Sequence, residues 1–135
     1  RRRHTRYGTV TGVQTCALPI LSETRGLRSV LVNPAVKPHR LIAHYLGPNE
    51  NPYTGETFIL TERDLEKLRE LDLPIERCRD LCMVLLETGD ETLDYRDALA
   101  LYEGVPTIVE QGGDHRCQSY ERYLPLIFES LGLPT

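Results

Sequence analysis

Short apolar segments stand out along a chain that is otherwise mostly polar. They cover residues 29–32, 81–86 and 105–109. Apolar residues follow one another in these segments instead of alternating with polar ones, which is typical of strands covered on both faces of a sheet. The pattern therefore predicts three short, buried β-strands.

Helical patterns lie between the predicted strands. Residues 39–46 follow Pro38, which fits the first turn of a helix. A second helix is predicted after Thr61, a good N-terminal cap, because leucines then recur at three-residue steps. These leucines are Leu65, Leu68 and Leu71.

Two more helices are predicted in the second half of the chain. Asp94 is a good N-cap for a helix that runs to about Glu103 and stops at Gly104. The last helix has Pro125 near its first turn, ends at Gly132 and carries one apolar face. That face consists of Leu124, Ile127, Phe128 and Leu131. Strands that alternate with helices indicate an α/β fold with a parallel sheet.

A long polar insertion separates the first two predicted strands. Residues 47–56 are rich in proline, glycine and asparagine. Those residue types favour turns over regular elements, so this segment is predicted to be a loop.

The first twenty residues do not share this patterning. Residues 10–20 resemble the translation of a common sequencing adapter, and residues 1–6 resemble the outer end of the same oligonucleotide in the same frame. We therefore expect residues 1–20 to be a non-native, disordered segment that takes no part in the fold. Residues 21–135 would then form the C-terminal part of one domain whose upstream part is lost.

Charge and hydropathy narrow the classes of partner. Four of the sixteen Lys and Arg residues and none of the twenty Asp and Glu residues fall within residues 1–20, so residues 21–135 carry a net charge of about −8. A surface this acidic argues against a nucleic-acid partner. No stretch approaches the roughly 18 apolar residues of a membrane span, so a membrane partner is not expected either.

The cysteines bear on the compartment of the protein. Outside residues 1–20 the sequence contains Cys78, Cys82 and Cys117, an odd number, and it has no Asn-X-Ser/Thr glycosylation site. Free thiols without a glycosylation site fit a reducing environment. We therefore expect a cytoplasmic protein.

Candidate chemistry follows the predicted strands, because ligands bind beyond the carboxyl ends of the strands in an open parallel sheet. Gly89 would let the chain turn so that Asp90 points over the sheet edge. The pair Gly112-Gly113 would do the same for His115. Neighbouring strands lie about 5 Å apart, so this carboxylate and this imidazole can meet. The carboxylate would then fix the tautomer of the ring and leave its other nitrogen as a base.

Other polar residues near these turns have simpler interpretations. Asp94 is expected to cap the next helix. Glu91 and Asp114 are expected to be solvated, and His39 and His44 to lie on the surface of a polar helix.

Two alternative chemistries involve the cysteines. A metal site could combine Cys78 and Cys82 with His115 and Cys117, but Cys82 falls within a predicted strand and the short ligand pairs of structural zinc sites are absent. Cys117 could also act as a nucleophile. Its place in the same turn as His115 is unfavourable for attack, so both alternatives rank below the pair of Asp90 and His115.

The nucleophile expected beside such a pair is missing from the sequence. Serine hydrolases of the α/β class carry their serine in Gly-X-Ser-X-Gly, upstream of the acid and the histidine. The serines of this chain lie in other contexts; they are Ser22, Ser29, Ser119 and Ser130. The order of Asp90 and His115 matches the second and third members of a Ser-Asp-His triad, and the first would lie upstream.

Several segments together resemble the YqiA-type bacterial esterases, which are α/β-hydrolase proteins. The most specific is the Asn-Glu-Asn-Pro-Tyr-Thr-Gly run at residues 49–55. The others are residues 30–38, 45–47, 88–96 and 112–115. The resemblance extends from about residue 29 to residue 133, which is nearly all of the chain outside residues 1–20.

The resemblance implies a fold and an activity. The three strands would be the sixth, seventh and eighth of an eight-stranded sheet, and Asp90 and His115 would be the acid and the base of the triad. The implied substrate is a short acyl ester or thioester, with no cofactor and no metal. The family's N-terminal half, with its nucleophile and oxyanion turn, has no counterpart here, so the fragment alone is expected to be inactive.

The sequence leaves a second class of function open. The α/β domain could be a binding or scaffold module without catalysis, because one fold serves many functions. Recovery of the upstream reading frame would discriminate between the two, since only an esterase requires Gly-X-Ser-X-Gly after an apolar run.

Overall fold

The structure, a computed structural model, describes residues 10–72 and 74–134, with only the backbone of residues 10–16. The elements in chain order are α1 (Val10–Arg25), β1 (Ser29–Val32), α2 (Pro38–Ile42), a 3-10 turn (Ala43–Tyr45), β2 (Gly47–Glu50), β3 (Thr57–Leu60), α3 (Glu62–Arg69), α4 (Cys78–Leu81), β4 (Cys82–Glu87), α5 (Tyr95–Leu101), β5 (Thr107–Glu110), a second 3-10 turn (Tyr120–Tyr123) and α6 (Leu124–Leu131).

A parallel sheet of three strands carries the fold, in the order β1-β4-β5. In the register, Val30 lies beside Met83, and Glu87 lies beside Glu110. Parallel neighbours require crossover connections, which the helices between the strands supply. The predicted α/β class, with parallel strands flanked by helices, is confirmed.

Strand β4 is the centre of the core, because all six of its residues are buried. Its Cys82, Val84 and Leu86 form one apolar cluster with Leu31, Cys78, Ala98, Tyr102 and Val105. The prediction placed this strand at residues 81–86, one residue too early. Glu87 therefore belongs to the buried strand and not to the turn that follows it.

Helix ends follow the signals in the sequence. The Asp94 carboxylate accepts a hydrogen bond from the Arg96 amide at 3.0 Å, so its predicted role as the N-cap of α5 is confirmed. Thr61 precedes α3 as predicted, and Asp64 accepts hydrogen bonds from the Thr61 amide and hydroxyl. Gly132 ends α6 in a left-handed conformation, with φ of 72°.

The chain divides into two compact units. The parallel sheet belongs to the unit formed by the residues up to Val36 and from Ile75 onwards, and the second unit is Lys37–Pro74. The prediction grouped residues 21–135 in one domain. The second unit contains helices α2 and α3 and the β2–β3 hairpin, and the grouping of residues 21–135 in one domain stays a prediction.

The predicted loop at residues 47–56 is largely an antiparallel hairpin. Strand β2 pairs with β3, Gly47 lying beside Leu60 and Glu50 beside Thr57. Pro48 is compatible with this arrangement because β2 pairs on one side only. The asparagine and glycine signals do mark the turn, in which the Asn51 carboxamide accepts a hydrogen bond from the Tyr53 amide at 2.9 Å.

Helix α1 crosses the boundary predicted at residue 20. Residues 1–9 lie outside the described part of the chain, but residues 10–20 are helical and continue to Arg25. Disorder was predicted for these residues too, and the helix differs from that expectation. The origin of residues 1–20 stays a prediction.

Cys78 and Cys82 form a disulfide in the structure, so the prediction that both are free thiols is wrong. Cys78 begins the single turn of α4 and Cys82 follows it, which brings their Cα atoms to 4.8 Å, within the range that a disulfide spans. Cys117 is a free, buried cysteine. The argument for a reducing compartment therefore no longer rests on Cys78 and Cys82.

Within residues 10–72 and 74–134, no helix combines the length and the apolar character that crossing a membrane would need.

Truncation of the core should be costly at β4. The Leu86 side chain is 1% exposed, so Leu86→Ala leaves a cavity and should lower the free energy of unfolding by about 3 kcal/mol. Leu99→Ala on α5 is the control. Leu99 is 42% exposed, and we expect a loss below about 1 kcal/mol. Urea unfolding of the natural protein that carries this sequence measures both, and equal losses would contradict the assigned core.

Candidate active site

The structure brings Asp90 and His115 together at the carboxyl edge of the sheet. Oδ2 of Asp90 lies 2.9 Å from Nδ1 of His115, a hydrogen-bond distance. The Asp90 side chain is 2% exposed and that of His115 is 20% exposed. The carboxylate is thus enclosed while the ring remains accessible.

Backbone hydrogen bonds join the turns that carry these two residues. The Thr88 amide donates to the Glu110 carbonyl at 2.9 Å, which extends the ladder of β4 and β5. The Gly89 amide then donates to the Gly112 carbonyl at 2.8 Å, and the Gly112 amide donates to the Thr88 hydroxyl at 2.9 Å. The two turns therefore run side by side beyond the strands, which is why the acid and the imidazole meet.

The glycines act for different reasons. Gly112 and Gly113 have φ of 82° and 74°, a region that side chains disfavour, as the sequence predicted for a bend before His115. Gly89 has no positive φ. It is required by close approach instead, because a Cβ atom there would lie 2.5 Å from the Gly113 carbonyl oxygen.

The other oxygen of Asp90 is also occupied. Oδ1 accepts hydrogen bonds from the amides of Thr92 at 2.8 Å and Leu93 at 2.9 Å. These donors fix the carboxylate in place. The remaining oxygen then accepts from His115, which orients the ring with its proton on Nδ1 and leaves Nε2 as the acceptor.

Glu87 is a buried charge near this site that the sequence analysis missed. Its side chain is 0% exposed, and its carboxylate accepts from the amides of Asp114 at 2.7 Å, Ser119 at 2.8 Å and Gln118 at 3.2 Å. Burial by itself raises the pKa of Glu87, but the hydrogen bonds from Ser119, Asp114 and Gln118 outweigh burial and hold the pKa below its usual value.

Asn33 links β1 to the same region and was also missed as a site residue. Its carboxamide oxygen accepts from the Glu87 amide at 2.9 Å, and its nitrogen donates to the Asp114 carbonyl at 3.1 Å. Asn33 is 3% exposed and has φ of 40°, a left-handed conformation that asparagine tolerates better than most residues. Its position directly after the first apolar segment was the available signal.

The two acidic residues near His115, Glu91 and Asp114, make more hydrogen bonds within the protein than the prediction of solvated side chains implied. Glu91 is exposed, but its carboxylate accepts a hydrogen bond from the His115 amide at 3.1 Å. Asp114 is half-buried and binds the Gln118 carboxamide at 2.8 Å and the Arg116 amide at 2.9 Å. These two hydrogen bonds, from Gln118 first, lower the pKa of Asp114. Both carboxylates thus stabilise the turn through hydrogen bonds, and the prediction that they are simply solvated was incomplete.

The two histidines of the insertion differ from each other. His44 is exposed, as predicted. His39 is half-buried, and its Nδ1 lies 3.0 Å from Oδ2 of Asp72. The prediction of a surface position is therefore wrong for His39, because α2 packs against α3.

The geometry does not support the alternatives that use cysteine. No group of three potential metal ligands occurs among the residues that the structure describes. Cys117 is 4% exposed, and burial together with the negative charge of Glu87 raises the pKa of its thiol. A buried thiol that resists deprotonation is a poor nucleophile.

Two surface cavities lie near the ends of the strands, and neither includes His115 in its wall. One, of about 290 Å³, runs along residues 88–96 beside Asp90. The other, of about 580 Å³, lies at the opposite end of the strands, next to Leu81, Pro106 and Leu126.

Two comparisons place this fold among known proteins. A family model described as "Uncharacterised protein family (UPF0227)" matches residues 18–131. A crystal structure named "Putative hydrolase" from Agrobacterium vitis S4 is similar in fold, with a TM-score of 0.52 at 19% sequence identity. The match covers 90% of this chain and 59% of that one, so this chain spans less than two thirds of the solved protein.

The buried state of Cys117 has a measurable consequence. At pH 7.5 its thiol should react with iodoacetamide at least about tenfold more slowly than in the urea-unfolded protein, because burial and a raised pKa both lower the accessible thiolate. The rate should rise with pH throughout the range below the raised pKa and level off only above it. Mass spectrometry of the Cys117 peptide follows the reaction, and equal rates in the folded and unfolded protein would contradict this environment.

Proposed function

We propose a hydrolytic function for this chain, which belongs to the uncharacterised protein family UPF0227, the family of the YqiA-type proteins. In this proposal Asp90 and His115 are the acid and the base of a Ser-Asp-His triad that cleaves short acyl esters or thioesters. The observation that carries the proposal is the hydrogen bond between the enclosed Asp90 carboxylate and Nδ1 of His115.

The geometry supports general base catalysis by His115. With the Nδ1 proton donated to Asp90, Nε2 has a free lone pair that can accept the proton of a serine hydroxyl. The Asp90 carboxylate then stabilises the imidazolium that forms. Its hydrogen bonds to the amides of Thr92 and Leu93 hold it in position for this role.

The proposed reaction has two stages. The serine oxygen attacks the acyl carbon while its proton passes to Nε2 of His115, and that proton then leaves with the alcohol or thiol as the acyl-enzyme forms. Water next attacks the acyl carbon while His115 takes its proton. His115 then returns that proton to the serine oxygen as the bond between this oxygen and the acyl carbon breaks, and the acid product leaves. In each stage the His115 imidazole first accepts a proton and then donates it.

In this proposal the nucleophilic serine lies outside this sequence. None of the four serines lies in Gly-X-Ser-X-Gly, the context that exposes a nucleophile in this class of hydrolase. We propose that a further segment of the natural protein supplies the serine and the oxyanion donors, and that residues 21–135 alone do not turn over substrate. The fold match, which covers 59% of the solved protein, is consistent with a larger domain. The cytoplasmic location stays a prediction.

Removal of the proposed acid or base should abolish most hydrolysis. In the natural protein that carries this sequence, Asp90→Asn should lower kcat for p-nitrophenyl butyrate by about ten-thousand-fold, the effect known for the equivalent change in a serine protease. The asparagine would leave the proton on the wrong ring nitrogen. His115→Ala should cost at least as much, and a spectrophotometric assay measures both.

Asp94→Asn is the matched control, since it alters a nearby carboxylate that caps α5 and does not contact His115. It should leave kcat unchanged and lower the free energy of unfolding by less than about 1 kcal/mol. Loss of activity in Asp94→Asn but not in Asp90→Asn would overturn the choice of acid. If all variants and the unmodified protein fail to hydrolyse esters, the non-catalytic binding module becomes the better explanation.

A further inference from the structure

The loop that carries His115 is anchored from one side by a single buried carboxylate. Glu87 ends the central strand, and three amides within residues 114–119 point at its two oxygens. These are the amides of Asp114, Gln118 and Ser119. A segment with little regular structure is thereby tied to the most buried strand of the sheet.

The charge of Glu87 is the informative feature. In the described part of the chain no basic side chain forms an ion pair with it, and yet its side chain is 0% exposed. Burial of an unpaired carboxylate is unfavourable unless hydrogen bonds replace its water. The three amides and the Ser119 side chain do so here, and together they outweigh burial and hold the pKa of Glu87 below its usual value, so the carboxylate stays charged.

We propose that Glu87 is a positioning residue whose charged carboxylate fixes the 114–119 segment and thereby sets the His115 imidazole against Asp90. This inference rests on the proposed function, because it assigns Glu87 a role in the reaction that His115 would perform. Glu87 itself touches neither His115 nor, in this proposal, the substrate.

Both ends of the residue before His115 are held by this arrangement. The Asp114 amide is bound by Glu87, and the Asp114 carbonyl is bound by Asn33, whose oxygen in turn accepts from the Glu87 amide. The backbone that leads into His115 therefore has its position set on two sides. Productive geometry in a catalytic site requires placement within about 0.5 Å, which a free loop does not provide.

Gly113 leaves the space that this contact needs. A Cβ atom at residue 113 would overlap the Glu87 carboxylate, and the φ of 74° disfavours any side chain there. The glycine before Asp114 is therefore required both for the turn and for the approach of the carboxylate to the loop.

Glu87→Gln tests the role of the charge with the shape retained. A glutamine offers one acceptor oxygen and one donor group, so at least one loop amide would face another donor. Glu110→Gln is the control. Glu110 lies beside Glu87 in the sheet, but its carboxylate binds the side chains of Arg122 and Tyr123 and no amide of the loop.

The first measurement is independent of hydrolysis. In the natural protein with ¹⁵N-labelled histidine, the His115 ring should be a single Nδ1–H tautomer, assigned by its loss in His115→Ala. Glu87→Gln should give a mixture of tautomers and at least about tenfold faster amide exchange at Asp114 and Ser119. Glu110→Gln should change neither.

The second measurement is kinetic. Glu87→Gln should lower kcat for p-nitrophenyl butyrate at least about tenfold with KM within about twofold, because ring placement affects the transition state more than binding. A purely structural role would reduce the amount of folded enzyme without altering the ring tautomer. Glu110→Gln should retain both kinetic constants.

The unmodified protein provides a check if Glu87→Gln fails to fold. The amides of Asp114 and Ser119 should exchange at least about tenfold more slowly than that of Arg116, whose acceptor is the more accessible Asp114 carboxylate. Equal exchange there, an unchanged His115 ring in Glu87→Gln, or the same effects in Glu110→Gln would each overturn the proposal. Absence of hydrolysis in every protein would overturn the proposed function, and the ring and exchange data would still decide the role of Glu87.

Discussion

The parallel pairing of β4 with β5 is the constraint on which the rest of the site depends. Because the two strands run in the same direction and in register, with Glu87 beside Glu110, both leave the sheet at the same edge. The turns that follow are then joined by hydrogen bonds between Thr88, Gly89 and Gly112. Asp90 and His115 meet because the turns that carry them run side by side beyond this edge.

A buried charge at the end of the central strand is compatible with this fold for a specific reason. Backbone amides of the loop after β5 replace water as the hydrogen-bond donors to Glu87. Without Glu87, these amides would need other acceptors. The carboxylate thus gains hydrogen-bond donors, and the amides of the loop gain acceptors. The burial that would destabilise an isolated charge here links the core to the segment that holds His115.

The family and the fold set the context for these interactions. The family model of UPF0227 matches residues 18–131, which include Asp90, His115 and the residues that hold them in place. Similarity to the Agrobacterium vitis protein concerns the fold alone. The chemistry of this chain therefore has to be argued from its own residues, and the enclosed Asp90, the accessible ring of His115 and the buried Glu87 are the ones that carry the argument.

Local patterns in the sequence determined the strand and helix types, the cap at Asp94, and the two turns that bear Asp90 and His115, because apolar runs, caps and glycines act over a few residues. The burial of Glu87, the hairpin formed by β2 and β3 and the disulfide of Cys78 with Cys82 were decided only by the tertiary structure. The sequence shows that Glu87 ends an apolar segment, but it does not show whether water or backbone amides donate hydrogen bonds to its carboxylate. Only the packing of a loop distant in sequence against β4 determines which of the two occurs.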